Sequence, residues 1–185
     1  MRLLAMVVVA ALAGCASPPT DLFTLAAVPG PAMASSRTHS VEVRRIGLAG
    51  YLDRPGIVRS NAQYRLQVSD RDRWGEPLGG MVARVFTEDL VARMPGTAVF
   101  TESGAISTQP DVVLELDIQR FDADASGDVV LLAQAAARRD AGSRPAVART
   151  WRLTQHLPSD GTQDLVATMS ALLGQLADRV TEMVR

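Results

Sequence analysis

Few residues of this chain are equipped for chemistry, and their positions narrow what that chemistry can be. There is one cysteine, Cys15, and there are two histidines, His39 and His156, in 185 residues. A lone thiol makes no internal disulfide, so it is reactive, intermolecular or modified. His39 sits at the edge of a Pro- and Ser-rich stretch and His156 on the polar side of an alternating run. Neither stands at helical spacing from a second ligand, so both read as solvated histidines and no metal site is expected. Glu115 and Asp117 lie two apart, which puts both on one face of a strand, where they can converge on a substrate. Nothing around them separates their roles into acid and base. The chain has no G-x-S-x-G elbow, no P-loop and no G-x-G-x-x-G. An enzyme is not expected, nor a cofactor. An envelope hydrolase using Glu115 and Asp117 is the remote alternative.

The surroundings of Cys15 give it a different job. Met1-Arg2 is a positive start, Leu3 to Leu12 is uninterruptedly apolar, and Ala13-Gly14 are small. That is the order of a signal peptide. The apolar run is too short for a bilayer, which needs about 20 residues. Leu12-Ala13-Gly14-Cys15 looks like a bacterial lipobox. The resemblance implies a diacylglyceryl group on the thiol, cleavage before Cys15 and acylation of the new amine. Each buried CH₂ contributes about 0.8 kcal/mol, so two or three chains on one residue hold permanently. Asp at the second mature position retains lipoproteins of enteric-type bacteria in the inner membrane. Ala16 stands there instead, which favours the outer membrane, facing the periplasm, over inner-membrane anchoring.

What must position any site is one domain. Without the first 14 residues, 171 of the 185 remain, enough to bury a core. An apolar fraction of 47% is that of a globular protein. All 19 basic residues are arginine against 20 acidic ones, a net charge of −1 that falls to −2 without Arg2. Such a balance offers no footprint for nucleic acid.

Residues 15–38, with Pro18, Pro19, Pro29 and Pro31, read as a lipidated tether with a short strand near 22–26. Residues 39–185 form the domain. Val41, Val43 and Ile46 predict a strand, and 57–60 with 63–68 a hairpin around Asn61. Asp70 to Arg73 read as a charged, solvated loop. Val82, Val85, Phe86, Leu90 and Met94 recur at helical spacing between Pro77 and Pro95-Gly96, with Gly79-Gly80 weakening the first turn. After a short strand at 98–101, three strands at 111–122, 128–138 and 146–157 form an antiparallel meander, because their connections are too short for crossovers. A broad apolar stripe from Leu165 to Met183 predicts a last helix over 163–184. The fold class is α/β: a mixed, mostly antiparallel sheet packed with two long amphipathic helices.

Two segments stand out. Tyr51-Leu52-Asp53-Arg54-Pro55 reads as a tight connection between strands. Arg73-Trp74-Gly75-Glu76-Pro77-Leu78 leads into a helix, with Glu76 near its positive end. Physics alone leaves fold determinant and interface both open for them. Lipobox, Phe23-Thr24-Leu25, Y-L-D-R-P at 51–55 and R-W-x-E-P-L at 73–78, in that order, resemble the ABC-type transport auxiliary lipoproteins, the PqiC-like proteins. The resemblance spans the mature chain; after residue 111 it is one of pattern only. It implies a non-catalytic, lipid-anchored subunit working with an MCE-domain protein and its permease and ATPase. Such systems move lipids or other hydrophobic compounds between the membranes and maintain the outer membrane. It also implies possible homo-oligomeric rings. Tyr51, Leu52, Asp53, Arg54, Pro55, Trp74, Glu76, Pro77 and Leu78 are carried over as motif positions. A periplasmic carrier that binds lipid itself is the main alternative.

Overall fold

The computed structural model describes residues 19–32, 38–62, 64–102, 104, 108–139 and 146–185. The expected signal peptide and Cys15 lie outside these. In chain order the elements are β1 (Asp21–Phe23), β2 (Ser40–Leu48), β3 (Gly56–Ala62), β4 (Arg65–Trp74), α1 (Leu78–Arg93), β5 (Ala98–Thr101), β6 (Val112–Ala123), β7 (Asp128–Arg139), β8 (Val147–His156) and α2 (Thr162–Val184).

Alternation sets the centre of the sheet. Val112, Leu114, Leu116 and Ile118 of β6 are buried while Glu115, Asp117 and Gln119 are exposed. β6, β7 and β8 form the expected antiparallel meander, joined by the longest ladders among the described residues. The other edge of β6 is taken by β2 and then by β3, both parallel, and β5 pairs parallel with β2. β4 returns antiparallel on β3, and β1 lies parallel beside the end of β4. The described strands make one mixed sheet of eight.

Both helices cover one face. Phe86 and Leu90 of α1, and Leu172, Leu173, Leu176 and Val180 of α2, are fully buried with Leu114, Ile118, Phe121 and Leu131 of the sheet. Ala133, Ala135 and Ala137 of β7 are small and buried beneath α2, which packs on that strand. Among the described residues no helix is long and apolar enough to cross a membrane. Gly79 and Gly80 do not prevent a full first turn, because Leu78 and Met81 are buried in the core and the Met81 N–H donates to the Pro77 carbonyl at 3.1 Å.

Two expectations are corrected. Asp70 to Arg73 are strand, not loop: they belong to β4, where Asp72 and Arg73 pair with Asp21 and Leu22 and the Asp72 carboxylate accepts from the Thr162 hydroxyl at 2.7 Å. Residues 19–32, read as tether with a short strand near 22–26, hold a strand at Asp21–Phe23 and continue as a strap packed on the body. Leu25 is only 2% exposed. The Ala26 N–H donates to Ser170 Oγ at 3.2 Å and the Val28 N–H to Asp89 Oδ1 at 2.8 Å. Arg93 then donates to the Val28 carbonyl at 3.0 Å, and its Nε reaches Asp178 Oδ1 at 2.5 Å. Buried Asp89 and Arg93 of α1 and Ser170 of α2 thus grip the backbone of this strap, and half-buried Asp178 of α2 holds Arg93 in place. Burial pushes the Asp89 carboxyl up from its usual range, opposed by the Val28 N–H and by Arg93.

The β3–β4 hairpin closes where Gly56 meets Ser69. A Cβ on Gly56 would stand 2.3 Å from the Ser69 carbonyl oxygen. Gly56→Ala is expected to cost about 1–3 kcal/mol by overpacking, read by urea unfolding. An unchanged midpoint would mean that the strands separate freely there.

Candidate docking groove

The chain leaves β2 through a short turn. The Ala49 N–H donates to Ile118 O at 2.9 Å, Leu52 to Ala49 O at 2.9 Å and Arg54 to Leu52 O at 2.8 Å. Two side chains pin this turn. Leu52 is buried in the core, and the Tyr51 hydroxyl donates to Asp122 Oδ1 at 3.0 Å. Asp122 is fully buried and also accepts from Arg120 Nε at 2.9 Å and from the Ser60 hydroxyl. With those two residues committed inward, Asp53, Arg54 and Pro55 are left exposed.

The second motif arrives from β4 and is stitched to the first by backbone. The Trp74 N–H donates to the Pro55 carbonyl at 2.8 Å, and Gly75 donates to Phe23 O at 2.9 Å, which ties β1 into the same junction. Trp74 and Leu78 are buried, while Glu76 and Pro77 are exposed. Glu76 accepts from Arg84 at 2.7 Å, further along α1. Between the motifs lies an open groove of about 260 Å³, lined by Asp53, Arg54, Pro55, Trp74, Glu76 and Pro77. Pro55, Trp74 and Pro77 supply apolar surface; Asp53, Arg54 and Glu76 supply charge of both signs. None of these six residues is a histidine, a cysteine or a hydroxyl nucleophile. The rigid prolines and tryptophan suit recognition of an extended segment of another chain, which binds without ordering the site first.

Of the carried-over residues, Tyr51, Leu52, Trp74 and Leu78 point into the fold, and Asp53, Arg54, Pro55, Glu76 and Pro77 form the rim. Sequence reading missed Asp122, the residue that fixes Tyr51. Its trace is the shift in register between Ile118 and Arg120 of β6, which breaks the alternation just before it. Glu115 and Asp117 sit elsewhere, on the open face of the sheet, in a shallow groove of about 390 Å³ with Arg45, Gly47 and Gln134. His156 is exposed and contacts Asp128 Oδ1 at 2.8 Å. His39 is exposed, and its backbone N–H donates to Asp111 at 2.7 Å. Among the described residues no three His, Cys, Asp or Glu gather to hold a metal. Arg138 is exposed, while Arg139 bonds the carbonyls of Val184 and Arg185 and so ties down the end of α2.

Tyr51 is stabilised as the neutral phenol. Burial, then the Asp122 charge, push its pKa far above the ordinary value of 10. A folded-state pKa raised in this way supports stability that is complete below the unfolded value and is lost as pH climbs through 10 and beyond. Tyr51→Phe is expected to cost about 1–2 kcal/mol near neutrality and to flatten the alkaline decline above pH 10, where each titrating phenol contributes up to about 1.4 kcal/mol per pH unit. Urea titrations at pH 7 to 11 read both effects; parallel alkaline slopes for the two proteins would remove Tyr51 as the cause.

The sequence matches the family described as ABC-type transport auxiliary lipoprotein component over residues 23–181. The chain belongs to that family. As a family member it is an auxiliary component of an ABC-type transport system and a lipoprotein, hence membrane-anchored in the cell envelope. The match begins at Phe23, inside β1, so residues 23–32 of the strap are part of the family domain. Solved structures agree on the fold. One described as an uncharacterized protein is 16% identical with TM-score 0.75, covering 91% of this chain and 100% of its own. Protein XCC0632 from Xanthomonas campestris is 19% identical with TM-score 0.70, covering 89% and 93%. The PelC dodecamer from Paraburkholderia phytofirmans is more distant, 15% identical with TM-score 0.48, covering 80% and 92%. No curated protein is significantly similar to the chain.

Proposed function

We propose that this family member is a non-catalytic adaptor, fixed to the periplasmic face of the outer membrane by acyl chains on Cys15. It offers the groove between Asp53–Pro55 and Trp74–Pro77 to an MCE-domain protein that works with a permease and an ATPase. The cargo class is lipids or other hydrophobic compounds, and the role is support of outer-membrane integrity. A homo-oligomeric ring belongs to the same reading: copies around one axis would repeat the groove and present it multivalently to a tunnel-shaped partner.

The observation that carries the proposal is how the two motifs divide their residues. Tyr51, Leu52 and Leu78 are spent on holding the loops, buried Trp74 holds them and floors the groove, and Asp53, Arg54, Pro55, Glu76 and Pro77 face solvent around it. Residues needed only for folding have no reason to line a common exposed rim. The carrier reading needs an apolar cavity for acyl chains. The space between helices and sheet is filled by Phe86, Phe121, Leu131 and Leu173, all buried, which favours the adaptor.

Detergent extraction of the native protein tests this. The expected result is an acylated Cys15 at the mature N-terminus and an MCE-domain protein in the same complex. A free Cys15 thiol in the soluble fraction overturns the anchoring. Phospholipid retained by the purified protein, with no protein partner, would favour the carrier instead.

A further inference from the structure

The start of β1 limits how far an anchored Cys15 can stand from the body. β1 is parallel to the end of β4, Asp21 beside Asp72, so the chain entering β1 comes from the direction in which β4 begins, the tip of the β3–β4 hairpin. From Cys15 to Asp21 the backbone reaches at most about 21 Å, at roughly 3.5 Å per residue. β4 bulges between Val68 and Arg73, where β3 advances only from Val58 to Gly56, so the hairpin length is set by β3: from Gly56 to Ala62 it extends about 20 Å in that same direction, at roughly 3.3 Å per residue. The two lengths are comparable, so a bilayer held by Cys15 on that side comes within reach of the hairpin tip.

The tip is made for such a contact. Tyr64 is 97% exposed at the turn, and Leu66 and Val68, which share a face of β4, are 45% and 40% exposed. The other face carries Arg65 with Arg59 of β3, whose strand partner is Gln67 and whose guanidinium donates to the Asp160 carbonyl at 3.0 Å. Leu66 and Val68 are uncovered because the helices pack on β2, β5, β6, β7 and β8, while α2 begins level with Asp72, where Thr162 bonds it. A tyrosine at the end, aliphatic side chains beside it and Arg65 behind match the chemistry of the lipid headgroup layer, where amphipathic rings sit and guanidinium groups meet phosphate.

We propose that the β3–β4 hairpin is a membrane-contacting finger. Its tip, Tyr64 with Leu66 and Val68, enters the headgroup layer of the phospholipid bilayer to which Cys15 is anchored. The inference rests on the lipidation of Cys15. It orients the molecule: β3 and β4 run from the bilayer to the groove at their far end, where Gly56 pairs with Arg73, so the groove faces away from the lipid.

The test uses the full lipidated protein in vesicles of phosphatidylethanolamine and phosphatidylglycerol. A bimane fluorophore is placed on Tyr64→Cys and, as reference, on Arg185→Cys at the opposite end of the body. Quenching by nitroxide-labelled lipid is expected to be several-fold greater at position 64, with a blue-shifted emission. Flotation of the vesicles reports anchoring separately. Protein that floats but shows equal quenching at both positions overturns the finger and leaves the anchor standing. Protein that does not float, with a reactive thiol at Cys15, overturns the anchor and the finger with it. A blue shift without nitroxide quenching assigns the tip to a protein neighbour and also overturns the proposal.

Discussion

Arg93→Met is expected to destabilise the protein by about 3–5 kcal/mol, the cost of breaking a buried ion pair by removing one partner. Asp89 is fully buried; among the described residues its Oδ2 has no hydrogen-bond partner and Arg93 is its only cation. Methionine fills much of the volume, so the loss is electrostatic rather than a cavity. Burial already raises the Asp89 pKa, and loss of Arg93 raises it further. A folded carboxyl with a raised pKa contributes stability that is complete below its unfolded value, about 3.9, and is lost as pH rises through the folded value. The penalty is therefore expected to be smaller at pH 5 than at pH 8. Because Arg93 also holds the Val28 carbonyl, residues 19–32 are expected to become sensitive to protease before the rest of the body. Urea unfolding at the two pH values and limited proteolysis read these effects. A loss below 1 kcal/mol would place the triad among surface ion pairs. Asp89→Asn together with Arg93→Met is expected to recover part of the loss, since no charge is then left buried.

This triad shows where sequence reading stops. Asp89 and Arg93, four apart on a helix, have the spacing of an ordinary solvated pair. Their burial comes from a backbone, that of Val28, which leaves no periodicity to detect. For the same reason the Pro- and Ala-rich strap reads as a spacer: its bonds to Ser170, Asp89 and Arg93 come from partners far along the chain. β6, β7, β8 and both helices were legible because alternation and the helical stripe are local and each buries one face. The parallel insertion of β2 and β3 against β6 was not, since it depends on pairings across long loops. Charged Asp70 to Arg73 favour a loop until β1 gives them a partner. The groove was half legible. Its residues stand out in two separate motifs; only the Trp74-to-Pro55 backbone bond brings them together.

Arg54→Glu is expected to leave folding nearly unchanged and to weaken partner binding by about 2 kcal/mol, roughly thirtyfold. Arg54 is exposed and lies outside the core, so its effect on stability falls within about 0.5 kcal/mol. Charge reversal at position 54 leaves an all-acidic rim, with Asp53 and Glu76 on either side, which repels whatever acidic group Arg54 meets. Binding to the purified partner measured at two salt concentrations separates this from general weakening: the deficit should shrink as salt screens the rim. Equal affinity for the two proteins would take Arg54 out of the interface. The contrast with Tyr51→Phe, which costs stability without altering the rim, separates holding residues from contacting ones.

A photoreactive amino acid in place of Arg54, compared with one in place of exposed Thr154 on β8, addresses the groove directly in intact cells. Adducts with a component of the transport system at position 54, and none at 154, are the predicted result. Adducts to that component from 154 alone, or to lipid alone from 54, would contradict the assignment of the groove as the docking site.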